Sequence, residues 1–388
     1  MTVHRPLSRE TAARAAAFAS DSRRMSRTNH LHHTHHPRHN ARATLAGSAA
    51  LLLVLSACSN DGAATSADAS GKSGEATAVN VLVHDSFSVP DELIAQFEED
   101  SGYKVVTTSP GDAGVVVNQL ILAKDNPTVD AVYGVENFSA AKAIDEGVFA
   151  TYTSPNLPES AKQYVLDEAL TPIDMGDVCV NVDHAWFKEN NLAEPVTLDD
   201  LAKPEYAKLL VVEDAAASSP GLAFLVGTIG AKGEDGYQAY WKQLFEGGAK
   251  VASGWSDAYY TDFSGADGKG DYPLVVSYAS SPAETEGATG SLDATCTRQV
   301  EYAGVVEGAK NAEGAQAFID FLLSDPVQEA IPSNMYMYPV NTDIALPAEW
   351  EKYAKLTDKP IAIDAAKVSE NRDAWIKSWT TLYEETAK

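Results

Sequence analysis

The sequence predicts an α/β fold with a largely parallel sheet, and three observations lead there. From Val79 onward, short β-branched runs alternate with longer amphipathic segments, the pattern of strands joined by crossover helices. The segment boundaries carry the punctuation this needs: Pro90-Asp91-Glu92 opens a helix whose apolar face is Leu93, Ile94 and Phe97, and Gly102 closes it. Finally, 388 residues at 45% hydrophobic and 9% aromatic content are globular and enough for one very large domain or two ordinary ones.

Taken in order, the strands expected are Val79–Val83, Lys104–Thr107, Val129–Tyr133, Val178–Val182, Leu209–Val212 and Leu274–Tyr278. After the helix begun at Pro90, further helices are expected at Gly114–Lys124, Ser139–Glu146, Pro220–Ala231, Tyr237–Phe245, Glu313–Leu323 and Arg372–Glu384. No internal repeat is visible. Ligands of such sheets gather beyond the carboxyl ends of the strands, which here means Asp85–Phe87, Gly134–Asn137 and Tyr278–Ser281.

Charge divides the chain. The 29 basic and 55 acidic residues give a net charge of −26, but residues 1–57 hold eight of the arginines and only two acids, leaving −32 for the rest. A surface this acidic disfavours nucleic acid, whose binding depends on Lys and Arg. Seven of the nine histidines also lie in the first 57 residues, ahead of the apolar run Ala43–Leu55, which reads as the n-region and h-region of an export signal. The run is short for a membrane span, which needs about 20 apolar residues, so an uncleaved anchor is the lesser alternative. Translation starts at Met1 or Met25. Residues 59–78 contain no Val, Leu, Ile or Phe and read as a flexible tether, about 25 Å long as a random coil.

Polar and aromatic side chains cluster at several strand and helix ends: His84-Asp85-Ser86-Phe87, Glu136-Asn137, Ser218-Ser219-Pro220-Gly221, Trp255 to Tyr260, Ser277 to Pro282, and the loop Met335 to Pro339. Each has a structural alternative. Ser219 before Pro220 is a natural helix cap, Trp255 and Tyr259 are equally good core residues, and Glu136 suits a solvated loop. No G-x-S-x-G, Walker loop or zinc spacing occurs beyond residue 58, where only His84 and His184 remain. An exported α/β protein without a catalytic pattern, cofactor motif or metal motif reads as a binding module.

The stretches His84-Asp85-Ser86-Phe87, Ser219-Pro220-Gly221-Leu222, Gly254 to Tyr259, Ser277 to Pro282, Tyr338-Pro339-Val340 and Arg372-Asp373-Ala374-Trp375 together resemble the substrate-binding lipoproteins of ABC importers, and within them the thiamine-binding proteins. Leu55-Ser56-Ala57-Cys58 resembles a lipobox, which would lipidate Cys58 and hold the protein to the outer face of the cell membrane. The resemblance implies a two-lobed periplasmic-binding-protein-like fold with the ligand cleft between the lobes. The lobes are expected at 79–174 and 175–302, after a signal at 1–57 and a tether at 58–78, with 303–388 returning to both. The chain would cross between lobes near Pro172–Met175 and Val300–Val305.

The resemblance further implies a monomer that captures thiamine or a thiamine phosphate and hands it to an ABC permease. His84, Asp85, Ser86, Glu136, Asn137, Ser219, Gly221, Trp255, Tyr259, Tyr278, Ser281, Glu284 and Tyr336 are the ligand-binding candidates. Enterobacterial relatives have Trp where this chain has Tyr336 and Tyr where it has Glu284, so stacking there is altered. Aromatic faces and carboxylates such as Asp85 and Glu136 suit a permanently cationic thiazolium, and backbone N–H groups at Ser219 to Gly221 suit a phosphate. Two rivals stand beside this reading. Tyr259-Tyr260 is a pair of the kind that binds iron(III), and a thiaminase-like enzyme would need Cys179 or Cys296 as nucleophile. In an oxidising compartment those two cysteines form a disulfide, remain two buried thiols, or leave one reactive thiol.

Overall fold

The computed structural model of the protein describes residues 77–266 and 269–386. The expected signal, Cys58 and all but the last two tether residues lie outside the described residues. No described helix is long and apolar enough to cross a membrane.

The sheet is eleven-stranded. The strands are β1 (Thr77–Leu82), β2 (Tyr103–Thr108), β3 (Ala131–Glu136), β4 (Phe149–Ala150), β5 (Thr171–Asp183), β6 (Leu210–Glu213), β7 (Lys250–Ala252), β8 (Leu274–Tyr278), β9 (Thr289–Ser291), β10 (Thr297–Val306) and β11 (Tyr338–Pro339). The main order is β2-β1-β3-β10-β5-β8-β6-β7. Helices of nine residues or more are α1 (Asp91–Ser101), α2 (Ala113–Ala123), α3 (Asn137–Asp145), α4 (Ser219–Lys232), α5 (Tyr237–Glu246), α6 (Ala312–Leu322), α7 (Asp325–Met335) and α8 (Ala365–Thr386).

The alternation is present, but the sheet is not uniformly parallel. Parallel blocks at either end, β2-β1-β3 and β8-β6-β7, are joined through β10 and β5, which run antiparallel to each other and to the strands flanking them. This is the two-lobed fold of the periplasmic binding proteins. The expected crossings fall inside the β5/β10 ladder, where Tyr302 faces Pro172, Glu301 faces Asp174 and Val300 faces Met175. β10 was not expected as a strand, and β5 begins seven residues before the expected Val178, because both interrupt their apolar pattern with buried polar residues: Asp174, Asp177, Gln299 and Glu301. The pairing of β10 with β5 slips between Glu301 and Tyr302, a bulge that sharpens the local twist beside Glu301.

Local chemistry sets the other boundaries. α1 ends at Gly102, whose φ of 73° is left-handed. Ser218 rather than Ser219 caps α4, accepting the Gly221 N–H at 3.4 Å, so Ser219 and Pro220 sit inside the first turn. α8 starts seven residues before Arg372 and lays Trp379 against Trp241 of α5, ring centroids 5.4 Å apart. The other end of α8 reaches α3, where Arg372 donates to Ser139 at 2.9 Å and Lys142 pairs with Asp373. α7 occupies a stretch for which no helix was expected and contains Pro332.

Cys179 of β5 and Cys296, just before β10, are disulfide-bonded across the two strands, with Cα atoms 4.2 Å apart and both residues fully buried. The bond spans 117 residues of sequence, so cross-linking removes on the order of 4–5 kcal/mol of loop entropy from the unfolded chain in the simplest account. Converting both cysteines to alanine should lower unfolding stability by about 2–5 kcal/mol. Urea denaturation of the double variant checks this, and unchanged stability would show that the β5/β10 pairing needs no staple.

Candidate ligand-binding site

The site is built where β1, β3 and β10 end or bend against the starts of α2 and α4. Beyond β1 the chain turns, with the Asp85 N–H donating to Gly111 O at 3.0 Å, and this swings His84 inward. Gly134 in β3 makes room for it: with φ of 94°, a Cβ at that position would lie 2.1 Å from the His84 ring. β3 therefore runs on through Gly134 to Glu136 instead of stopping at Tyr133.

His84 Nε2 lies 3.1 Å from Glu301 Oε2, and both residues are buried. Gln299 donates to Glu301 Oε1 at 2.8 Å and to the Tyr278 hydroxyl at 3.1 Å. The Tyr133 hydroxyl is 3.0 Å from Glu301 Oε2 and 2.5 Å from Asp174 Oδ2. One phenol proton serves only one acceptor. Burial and the neighbouring Glu301 charge push Asp174 well above the usual carboxylate range, and the Tyr133 O–H, within reach of both carboxyls, donates to one or the other. Burial opposes ionisation of Glu301, but His84 and the hydrogen bonds from Tyr133 and Gln299 hold it below its ordinary value.

Opposing effects act on His84. Burial lowers its pKa, and the Ser86 N–H aimed at Nδ1 at 3.2 Å favours the neutral ring. The adjoining Glu301 carboxylate, with Asp112 and Asp85 farther off, raises it to about 9. The charged contact to Glu301 outweighs one long neutral hydrogen bond, so the imidazolium form prevails.

Opposite this network stands an aromatic wall. Trp255 is stacked on Tyr259 at 5.2 Å and 12°, and donates from Nε1 to Ser277 Oγ at 2.8 Å. Ser281 in turn holds Ser277, Oγ to Oγ 2.8 Å. Tyr278 completes the wall, its ring 6.1 Å from that of Trp255. Gly176 lets Met337 and Tyr278 come close to β5, since a Cβ there would be 3.1 and 3.2 Å from them. The cleft between network and wall encloses a cavity of about 20 Å³, and Ser86, Asp112, Ser219, Pro220 and Met335 complete its lining.

Of the sequence-derived candidates, His84, Ser86, Ser219, Trp255 and Tyr278 line this cleft. The others serve it indirectly or stand apart. Tyr259 is fully buried behind Trp255, and Ser281 behind Ser277. Gly221 packs against the Glu213 backbone, where a Cβ would be 2.8 Å from its carbonyl oxygen. Glu136 is buried, not a loop acid: it caps α3 by accepting the Phe138 and Ser139 N–H groups at 2.5 and 3.2 Å. Asn137 accepts the Val300 N–H at 3.0 Å. Asp85 is on the exposed side of the turn after β1. Tyr336, at a left-handed φ of 57°, donates to Glu284 at 3.2 Å outside the lining.

Sequence reasoning passed over Asp112, Tyr133, Gln299 and Glu301. Asp112 had a local signal, since it precedes the apolar helix beginning at Ala113 as an N-cap should. The other three sit in strand interiors, where nothing local marks them.

The His84 assignment is open to test. Its folded pKa lies above the ordinary 6.5, so its pairing stabilises the fold fully below about pH 6.5 and is lost as pH rises through about 9. An NMR titration of the imidazole should give a midpoint near 9, with stability declining across that window. A midpoint at or below 6.5 would establish the neutral ring.

Comparison with known proteins agrees with the fold. Residues 126–363, more than half of the chain, match the family described as bacterial extracellular solute-binding protein. The thiamine-binding periplasmic protein of Escherichia coli K12 is 29% identical over 316 residues, covering 78% of this chain and 92% of that protein. A solved periplasmic thiamin binding protein superposes with a TM-score of 0.70 at 26% identity, covering 79% of this chain and 96% of that one. The ferric binding protein from Campylobacter jejuni shares the fold, with a TM-score of 0.63 at 19% identity and 79% and 99% coverage. The chain belongs to the bacterial extracellular solute-binding proteins, of the type II periplasmic-binding-protein class.

Proposed function

We propose that the protein captures thiamine or a thiamine phosphate outside the cytoplasm and delivers it to an ABC permease. The observation that carries this reading is the pairing of a rigid aromatic wall, Trp255 on Tyr259 with Tyr278 beside it, with a lining that contains carboxylates and no Lys or Arg. A flat aminopyrimidine stacks on such a wall, and a thiazolium is stabilised by its π faces and by the Asp112 carboxylate. Similarity to proteins named as thiamine-binding supports the same ligand.

The wider picture follows the sequence. Residues 1–57 direct export, lipidated Cys58 and the tether to residue 78 hold the protein at the outer membrane face, and the folded part works as a monomer. The lobes divide at 79–174 and 175–302, with 303–388 returning to both, and closure is a hinge motion about β5 and β10. An iron(III) site at Tyr259 and Tyr260 is less well supported. Tyr259 is buried behind Trp255, and burial together with the Glu284 charge keeps its phenol protonated. The disulfide leaves neither Cys179 nor Cys296 as the thiolate that a thiaminase-like reaction requires.

Titration calorimetry of the protein with thiamine should give a dissociation constant well below millimolar. Trp255→Ala should weaken binding by about 10- to 100-fold, the loss of one stacked aromatic and its cation–π contact. Absence of thiamine binding by the folded wild type would overturn the ligand, and unchanged affinity of the variant would remove Trp255 from the site.

A further inference from the structure

His84 has partners suited to two protonation states. Its Nε2 lies 3.1 Å from Glu301 Oε2, and its Nδ1 has the Ser86 N–H 3.2 Å away. A neutral ring with its proton on Nε2 donates to Glu301 and accepts from Ser86, so both nitrogens are served. The imidazolium keeps the Glu301 bond but sets a second N–H, at Nδ1, against the Ser86 donor. Hydrogen bonding alone therefore favours the neutral ring, and the extra proton is held by charge. Nothing has to move for that proton to leave.

That charge comes from each element packed around the ring. Glu301 reaches it from β10, Asp112 from the start of α2 and Asp85 from its own turn, and all three carboxylates favour the imidazolium. Asp174 of β5 also interacts with the ring's charge, the Tyr133 phenol of β3 lies between Asp174 and Glu301, and Tyr278 of β8 joins through Gln299. His84 and Glu301 both line the cleft, and no Lys or Arg is among its lining residues, so His84 is the resident cation of that space. A second cation entering there repels the imidazolium and takes over its part in neutralising the carboxylates. Both effects lower a histidine pKa.

Resting on the thiamine reading, we propose that capture of the cationic ligand releases a proton from His84: the thiazolium replaces the imidazolium as the counter-charge of Glu301, and the Nδ1 proton passes to solvent. Nδ1 then accepts the Ser86 N–H, while Nε2 goes on donating to Glu301. Across the range in which the empty cleft holds this proton and the filled cleft does not, affinity rises with pH, by up to about tenfold per pH unit.

Calorimetry with thiamine at about pH 8, in two buffers of different ionisation enthalpy, counts the protons. The heats should differ by the release of more than about half a proton per thiamine, and affinity should rise about three- to tenfold between about pH 7 and pH 8. His84→Gln, which leaves Glu301 a neutral donor, should remove both effects. In the wild type, which needs no variant to fold, the His84 titration followed by NMR should move its midpoint down by more than about one pH unit when thiamine is saturating. His184, exposed, paired with Glu194 at 2.7 Å and outside the cleft lining, should keep its own midpoint. Thiamine binding without proton release, release that persists in folded His84→Gln protein, or a His84 midpoint unmoved by thiamine would overturn the proposal. Binding without release leaves the ligand reading standing; if the wild type binds no thiamine, both fall together.

Discussion

Glu301 is an ionised carboxyl in the middle of the sheet, and much of the molecule is arranged so that it can stay there. A charge removed from water costs several kcal/mol unless it is paired and its remaining lone pairs are bonded. Here the partners come from three directions: His84 from the end of β1, Tyr133 from β3 and Gln299 from β10 itself. None can be moved independently, because His84 needs the missing side chain of Gly134 and Tyr133 also holds Asp174 of β5. The network thereby pins the two central antiparallel strands to the first parallel block, at the point where the register of β10 slips.

The same economy explains what could and could not be read from the chain. Helices and outer strands follow apolar periodicity and capping residues, so α1, α2, α5 and α6 start and stop within one or two residues of where their sequences place them. β5 and β10 are opaque for the opposite reason. Their pattern is broken by Pro172, Asp174, Gly176, Asp177, Gln299 and Glu301, residues that disfavour a central strand until their partners are present. Arg298 shows how this is settled: it pairs with buried Asp177, which also accepts the Thr357 N–H at 2.7 Å from far along the sequence.

The candidate site divides along the same line. Trp255, Tyr278, Ser219 and His84 were legible because an aromatic or polar residue at the end of a strand or start of a helix is conspicuous. Their supporting residues were legible only as neighbours, and Tyr259 and Ser281 turn out to fix Trp255 and Ser277 from behind. Glu136 misleads for a physical reason. A strand that continues three residues past its apparent end carries its last side chain inward, where it caps a helix and lies near buried Arg372.

Cleft floor and the connection between the two blocks are consequently the same piece of chain. Glu301 faces the cleft from β10 and Gln299 supports it, the Cys179–Cys296 bond clamps that strand to β5 just beyond Gln299, and α8 ties α3 on one side to α5 on the other. A charge entering the cleft acts on residues whose backbone carries the lobe-to-lobe connection. Asp112 is the complement on the opposite face. It belongs to the first block by its own helix and to the second by the Ser219 and Trp255 N–H groups, so its bonds exist only when α2 and α4 are brought together. The floor is held by bonds within the sheet, whereas the Asp112 bonds join α2 to the start of α4 and to the turn carrying Trp255.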